Sequence, residues 1–142
     1  MKHIAQIDEL TQEVTKRIEA SEGRFRSRKA EDQLRFEHAV RVLLTDLWKA
    51  VKSTPIRECS INKCSGWYSE NPRYRDPLLT YKQMIAVYEG LLKIGFIEVT
   101  TEGHFDRVIY QGKTTRFVAR EELLERLQEL DGHPAISIKP DL

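Results

Sequence analysis

The sequence predicts a mainly helical fold with a small β-hairpin, which places it in the α+β class. Apolar residues recur at intervals of three and four over several long stretches, which is the period of an amphipathic α-helix. After Gly95, two short stretches alternate apolar and polar residues, as half-buried strands do. The length of 142 residues suits one domain with extensions and a modest core.

The overall composition narrows the classes of function. The 23 basic and 22 acidic side chains nearly cancel, so any face that binds nucleic acid has to be a local one. The longest apolar runs are far too short to span a bilayer, and the N-terminus has acidic and polar residues where a signal peptide needs an apolar stretch. With two cysteines and no such signal, we expect a cytoplasmic protein that does not bind membranes.

Residues 1–22 form a predicted N-terminal helix with one narrow apolar stripe. The stripe has spacings of three and four residues and consists of Ile4, Ile7, Leu10, Val14 and Ile18. A stripe this narrow suits docking onto one neighbouring helix, and it equally suits a coiled-coil seam that would make a homodimer. Residues 23–31 follow as a basic linker, which could also serve as an arm that contacts phosphate.

A broad apolar face marks the first core helix, from Ala30 to Lys52. The face comprises Leu34, Val40, Leu43, Leu44, Leu47, Trp48 and Val51. It is too broad for a coiled-coil seam, so we expect this helix in the core of a domain that spans residues 32–130. Pro55, together with the polar residues before it, ends the helix.

Residues 56–77 have the composition of a loop, rich in Ser, Asn, Gly and Pro. Ile56 and Ile61 could belong to a short strand. No helical period is evident, so any helix here is very short or is replaced by an ordered loop. Aromatic and basic residues interleave in this segment, and we interpret the rings as anchors of the loop. Arg73 and Arg75, directly before the next helix, are candidates for contacts to phosphate.

The next helix, over residues 79–94, has an N-cap at Thr80 and a left-handed C-cap at Gly95. Its inward positions are Met84, Ile85, Val87, Tyr88, Leu91 and Leu92. Strands over 96–101 and 115–119 follow, with either a long wing between them or a wing that contains an extra short strand at 108–110. A short helix over 121–130 and an irregular tail over 131–142, in which 135–138 could add a strand, complete the chain.

This order of helix, glycine stop, strand and returning strand is the outline of a winged helix-turn-helix with an additional N-terminal helix. The chain resembles the winged-helix domains of plasmid- or phage-type replication initiators in the segment SGWYSENPRYRDPLLTYKQMIAVYEGLLKIGFIEV and in the later pieces GHFDR and KTTRFVAREELLERL. The junction from Leu91 to Glu98 is similar to the helix-to-wing junction of winged-helix regulators in general.

The resemblance implies a set of DNA-binding residues, because the helix before the hairpin enters the major groove and the wing reaches the neighbouring backbone. The set is Arg73, Arg75, Thr80, Tyr81, Lys82, Gln83, Arg107, Lys113 and Arg116. Lys82 can pair with phosphate or guanine, and Gln83 can form two hydrogen bonds to adenine. The cations of the wing suit phosphate contacts, which position the protein without specifying sequence.

Signals of catalysis, metal binding or cofactor binding are weak. Cys59 and Cys64 could supply half of a metal site, but no second pair completes it. His104 and Asp106 lie close together in the wing without a nucleophile, and there is no glycine-rich phosphate loop. We therefore expect a protein without enzymatic activity, cofactor or metal.

Two hypotheses of function follow. The leading one is a protein of a mobile element that binds double-stranded DNA in replication initiation or transcriptional regulation. The alternative is a winged helix that binds a protein, such as a phage-encoded inhibitor of a host nuclease or defence complex. The near-zero net charge and the acidic residues of the wing and last helix suit this alternative equally well.

Overall fold

The computed structural model describes residues 2–22, 30–61, 79–101, 104–106, 111–113 and 115–130. The helices in these ranges are α1 (Lys2–Glu22), α2 (Ala30–Lys52), α3 (Tyr81–Lys93) and α4 (Glu121–Glu129). The strands are β1 (Cys59–Ile61), β2 (Ile97–Thr101), β3 (His104–Asp106), β4 (Gln111–Lys113) and β5 (Thr115–Ala119). A mainly helical chain with a small antiparallel sheet confirms the predicted α+β class.

Helix α2 is the central element of the fold. Every residue from Val42 to Trp48 is buried, so these two turns of the helix are covered on all sides. Helices α1, α3 and α4 and strand β1 all contact α2. The predicted bounds of α2 are correct, but the prediction that Leu34 lies on its buried face is wrong, because Leu34 is 70% exposed. Phe36, about 200° further round the helix, takes the inward position instead.

Helix α1 packs into the chain's own core through its apolar stripe. Ile7, Leu10, Val14 and Ile18 are all at most 3% exposed and belong to one core with α2 and α3. This is the docking alternative. It leaves these four side chains no exposed seam, so homodimerisation through them has no support in this fold; the side chain of Ile4 lies outside the described residues.

The buried face of α1 is wider than its apolar stripe. Thr11 and Thr15 are also buried, and their hydroxyls donate to the carbonyl oxygens of Ile7 and Thr11 at 2.8 and 2.7 Å. A hydroxyl that donates to the carbonyl one turn back can enter a core at little cost. Sequence periodicity therefore underestimates how much of α1 is buried.

The sheet has the strand order β1-β5-β2 and is antiparallel throughout. Its central strand β5 has the predicted bounds, and β2 begins one residue later than predicted. The inner face presents Ile61, Ile97 and Phe117 to the helices, and the ring of Phe117 meets Tyr88 of α3 edge to face at 5.4 Å. Ile56 lies outside β1 and is 51% exposed, so of the two isoleucines only Ile61 is in the strand.

Strands β3 and β4, which lie between β2 and β5 in the sequence, form a second, two-stranded sheet. The predicted strand segments at 108–110 and 135–138, and any helix within 62–78, lie outside the described residues. Helix α4 turns Leu123 and Leu127 into the core, with Leu130 after its end and Leu124 partly buried. Within the described ranges, no helix is long and apolar enough to cross a membrane.

Candidate nucleic-acid interface

The N-terminus of α3 is set by the side chain of Thr80. Thr80 has an extended backbone, and its Oγ1 accepts a hydrogen bond from the amide of Gln83 at 3.2 Å. This satisfies one of the four amides that a helix N-terminus leaves without an intrahelical partner. The predicted N-cap is confirmed. The hydroxyl of Thr80, one of the predicted DNA-binding groups, is thus already an acceptor for its own helix.

The C-terminus of α3 turns directly into the sheet. The amide of Phe96 donates to the Leu91 carbonyl at 3.0 Å, and the amide of Gly95 donates to the Leu92 carbonyl at 3.1 Å. These two bonds form a Schellman motif, which needs a left-handed residue at Gly95, and Gly95 has φ 78°. The motif packs Phe96 and Leu91 together in the core and fixes the direction in which β2 leaves the helix.

Lys82 and Gln83 are adjacent in α3 but have different environments. Lys82 is exposed in the first turn, where a predicted contact to DNA would need it. The Nε2 of Gln83 lies 3.5 Å from the Asp32 carbonyl of α2, which is the long limit of a hydrogen bond. Its Oε1 is buried and has no hydrogen-bond partner among the described residues. Gln83 therefore faces the beginning of α2, a contact that helical periodicity does not reveal.

Arg116 lies on the central strand β5, and its register partners are Ser60 of β1 and Thr101 of β2. Its side chain is 58% exposed, and its Nη1 lies 3.6 Å from Oε1 of Glu58. Glu58 also accepts a hydrogen bond from the hydroxyl of Thr100. The cation predicted to contact phosphate therefore already faces a carboxylate, and Glu58 is a residue of this surface that sequence reasoning missed.

The remaining predicted residues are only partly placed. Lys113 lies on β4 opposite His104, and Tyr81 begins α3; the side chains of both lie outside the described residues. Arg73, Arg75 and Arg107 fall in segments that the structure does not describe. The structure thus brings Thr80 and Gln83 into contact and places Arg116 beside Glu58.

Ion pairs link α1 with α4. Arg126 donates to both carboxylate oxygens of Glu13 at 2.8 Å each, and Arg17 donates to Glu122 at 2.8 Å. The hydrogen bond from Arg126, more than the charges of Arg126 and Arg17, holds the pKa of Glu13 below its usual value. The guanidinium of Arg17 also lies 5.1 Å from the centre of the Phe96 ring. Arg17 and Arg126 therefore already contact side chains of this chain.

The predicted partial metal site is described only at Cys59, whose side chain is half-buried. Among the described residues, no group of three His, Cys, Asp or Glu side chains is close enough to hold a metal ion.

No protein-family model matches this chain, and no curated protein or solved structure matches it either.

Proposed function

We propose that this chain is a DNA-binding winged-helix protein of a mobile genetic element that acts without catalysis in replication initiation or transcriptional regulation. The observation that carries the proposal is the path of the chain from α3 through Gly95 into β2 and back along β5. The strand before α3, β1, pairs with the same returning strand. A capped helix followed by antiparallel strands supports the assignment of α3 as the recognition helix and of the strands after it as the wing.

The first turn of α3 is the part of this helix suited to contact DNA. Met84, Tyr88 and Leu91 bury the opposite face, so the helix can present only its outer face and its N-terminal end. The positive end of the helix dipole favours phosphate there, and Lys82 adds a full charge at the same end. Gln83 can contact a base only after its amide leaves Asp32, and the long distance of 3.5 Å makes that contact a weak one.

Titration of labelled duplexes tests the proposal, together with selection of bound sequences from a random pool. We expect binding that weakens steeply with salt, because phosphate contacts release counterions. Lys82→Gln should weaken binding, whereas Lys93→Gln is the matched control, since it removes an exposed lysine from the other end of the same helix. Binding to none of the duplexes at about 50 mM salt would overturn the proposal.

Contacts to bases and contacts to phosphates can be distinguished by their effect on sequence preference. Replacing Lys82 and Gln83 together should reduce the preference for selected over random duplexes by about 1–3 kcal/mol for each base that the variant no longer recognises. Lys113→Gln or Arg116→Gln should weaken binding to all duplexes alike and reduce the slope of affinity against salt. Equal weakening on every duplex in both experiments would assign Lys82 and Gln83 to phosphate contacts alone.

A specific observation also favours the alternative of a protein partner. Arg116 is engaged by Glu58, and α4 exposes Glu121, Glu122 and Glu125. Exposed acidic side chains, together with a cation that already faces a carboxylate, suit a partner protein with complementary charges better than they suit a phosphate backbone. If this function is the correct one, the chain should capture one stoichiometric partner from nuclease-treated host lysate. Glu121→Lys with Glu125→Lys should abolish that capture while the protein remains folded.

A further inference from the structure

The exposed face of the sheet carries the contact between Glu58 and Arg116. We propose that Glu58 competes with DNA phosphate for Arg116, so that the free protein holds this cation in an autoinhibitory ion pair. The inference rests on the proposed DNA-binding function and adds a residue that sets affinity. Its chemistry is simple, because a carboxylate and a phosphate both present paired oxygens to the planar guanidinium group.

The sheet holds Glu58 in place from two strands. Residue 60 pairs with Arg116, so Glu58 lies two positions from that register point, immediately before β1. On the other side of Arg116, the register of β2 shifts between Val99 and Thr101. Thr100 is the additional residue of this bulge, and its hydroxyl donates to the Glu58 carboxylate. The carboxylate therefore spans the sheet and lies against the cation on its central strand.

The pair is suited to exchange because the fold does not depend on it. The shortest distance between the charged atoms is 3.6 Å, and the side chains of Arg116 and Glu58 are 58% and 37% exposed. Exposed ion pairs of this kind add little to the stability of a protein. A phosphate can therefore displace the carboxylate without disturbing the core, but it has to break an existing contact to do so.

Glu58→Gln is the variant that isolates the competition. Glutamine keeps the shape of the side chain and an oxygen that accepts from Thr100, while it removes the charge that holds Arg116. We expect all duplexes to bind about two- to fivefold more tightly, which corresponds to the removal of one exposed ion pair. The slope of log affinity against log salt should become steeper by much less than the roughly 0.9 of a whole phosphate contact, because Arg116 contacts phosphate in both proteins and only the salt-screened pair with Glu58 differs.

The experiment measures duplex binding over a range of salt for the wild type, Glu58→Gln, Arg116→Gln and the double variant. In the Arg116→Gln background, Glu58→Gln should have no effect, because the cation for which it competes is absent. Glu9→Gln is the matched control, since it removes the same charge from an exposed position on α1. Thr100→Val keeps the charge but removes the hydroxyl that holds Glu58, and it should tighten binding by a smaller factor.

The outcomes separate this inference from the function on which it rests. If the wild type binds DNA and Glu58→Gln binds no more tightly, the competition is absent while the DNA-binding function stands. An equal gain with and without Arg116, or an equal gain from Glu9→Gln, would show a general effect of net charge and would also overturn the inference. If no duplex binds to the wild type, the proposed function and this inference fall together.

Discussion

Gly90 is the position at which the packing of α1 on α3 can be tested most directly. A Cβ added there by Gly90→Ala would lie 2.6 Å from Cγ2 of Ile18, with Cγ1 and Cδ1 at 3.2 and 3.3 Å. An approach under 3.0 Å requires a shift, and Ile18 has little room for one, because it is fully buried and its χ1 torsion is stiff. The two helices therefore have to move apart, or Ile18 has to adopt a strained rotamer.

The expected change in stability is the difference between two effects of opposite sign. Overpacking a well-filled core costs about 1–3 kcal/mol. Replacing glycine by alanine inside a helix returns about 1 kcal/mol, because glycine loses more backbone entropy on folding. We therefore expect Gly90→Ala to lower the free energy of unfolding by about 1 kcal/mol. If α1 did not pack at this distance, the same substitution would stabilise the protein by about 1 kcal/mol.

Urea unfolding, monitored by circular dichroism, measures the sign of this change in stability and the coupling energy between positions 18 and 90. Ile18→Ala alone should cost about 2–5 kcal/mol, because it leaves a cavity between the helices. In the double variant the alanine at position 90 has room and fills part of that cavity. The double variant should therefore be more stable than the sum of the two single effects predicts, by about 1–3 kcal/mol.

Gly95→Ala is the matched control for this double-mutant cycle. Its added Cβ meets no atom within 4 Å, but its φ of 78° is one that alanine rarely adopts. The substitution should cost about 1–2 kcal/mol through backbone strain, and it should be additive with Ile18→Ala. Additivity at Gly90, or stabilisation by Gly90→Ala, would refute the close packing of α1 on α3.

Two further predictions concern the ion pair between Glu13 and Arg126 and the N-cap of α3. The folded-state pKa of Glu13 lies below its ordinary value of 4.5, so its stabilising effect is present above that value and is lost as pH falls through the folded pKa. Glu13→Gln should lower the free energy of unfolding by no more than about 1 kcal/mol at neutral pH, because both side chains of the pair are over a third exposed. The difference from the wild type should vanish in acid. Urea midpoints that differ equally at all pH values would contradict this prediction. Thr80→Ala should lower the free energy of unfolding by about 1 kcal/mol, and Thr80→Ser should have the stability of the wild type, since serine also accepts from the Gln83 amide. Equal urea midpoints for the alanine and serine variants would show that the hydroxyl at position 80 does not stabilise the helix.

The sequence alone determined the elements whose signals are local. The bounds of α2 and β5, the cap at Thr80 and the left-handed turn at Gly95 all follow from sequence patterns and are confirmed by the structure. Each depends on residues within about one turn of helix or one strand, and their propensities act in the unfolded chain as they do in the folded one. The DNA-binding role of the residues around Thr80 stays a prediction.

Only the tertiary structure decided which surfaces face each other. The helical periodicity predicted that Leu34 is buried, whereas in the structure Leu34 is exposed and Phe36 packs in the core. The burial of α1 depends on α2 and α3, which lie far along the chain, so its stripe was equally compatible with a seam. Glu58 and Arg116 are remote in sequence, and only the pairing of β1 with β5 brings their charges within 3.6 Å. Contacts of this kind are set by how whole elements pack, and local sequence patterns carry no record of them.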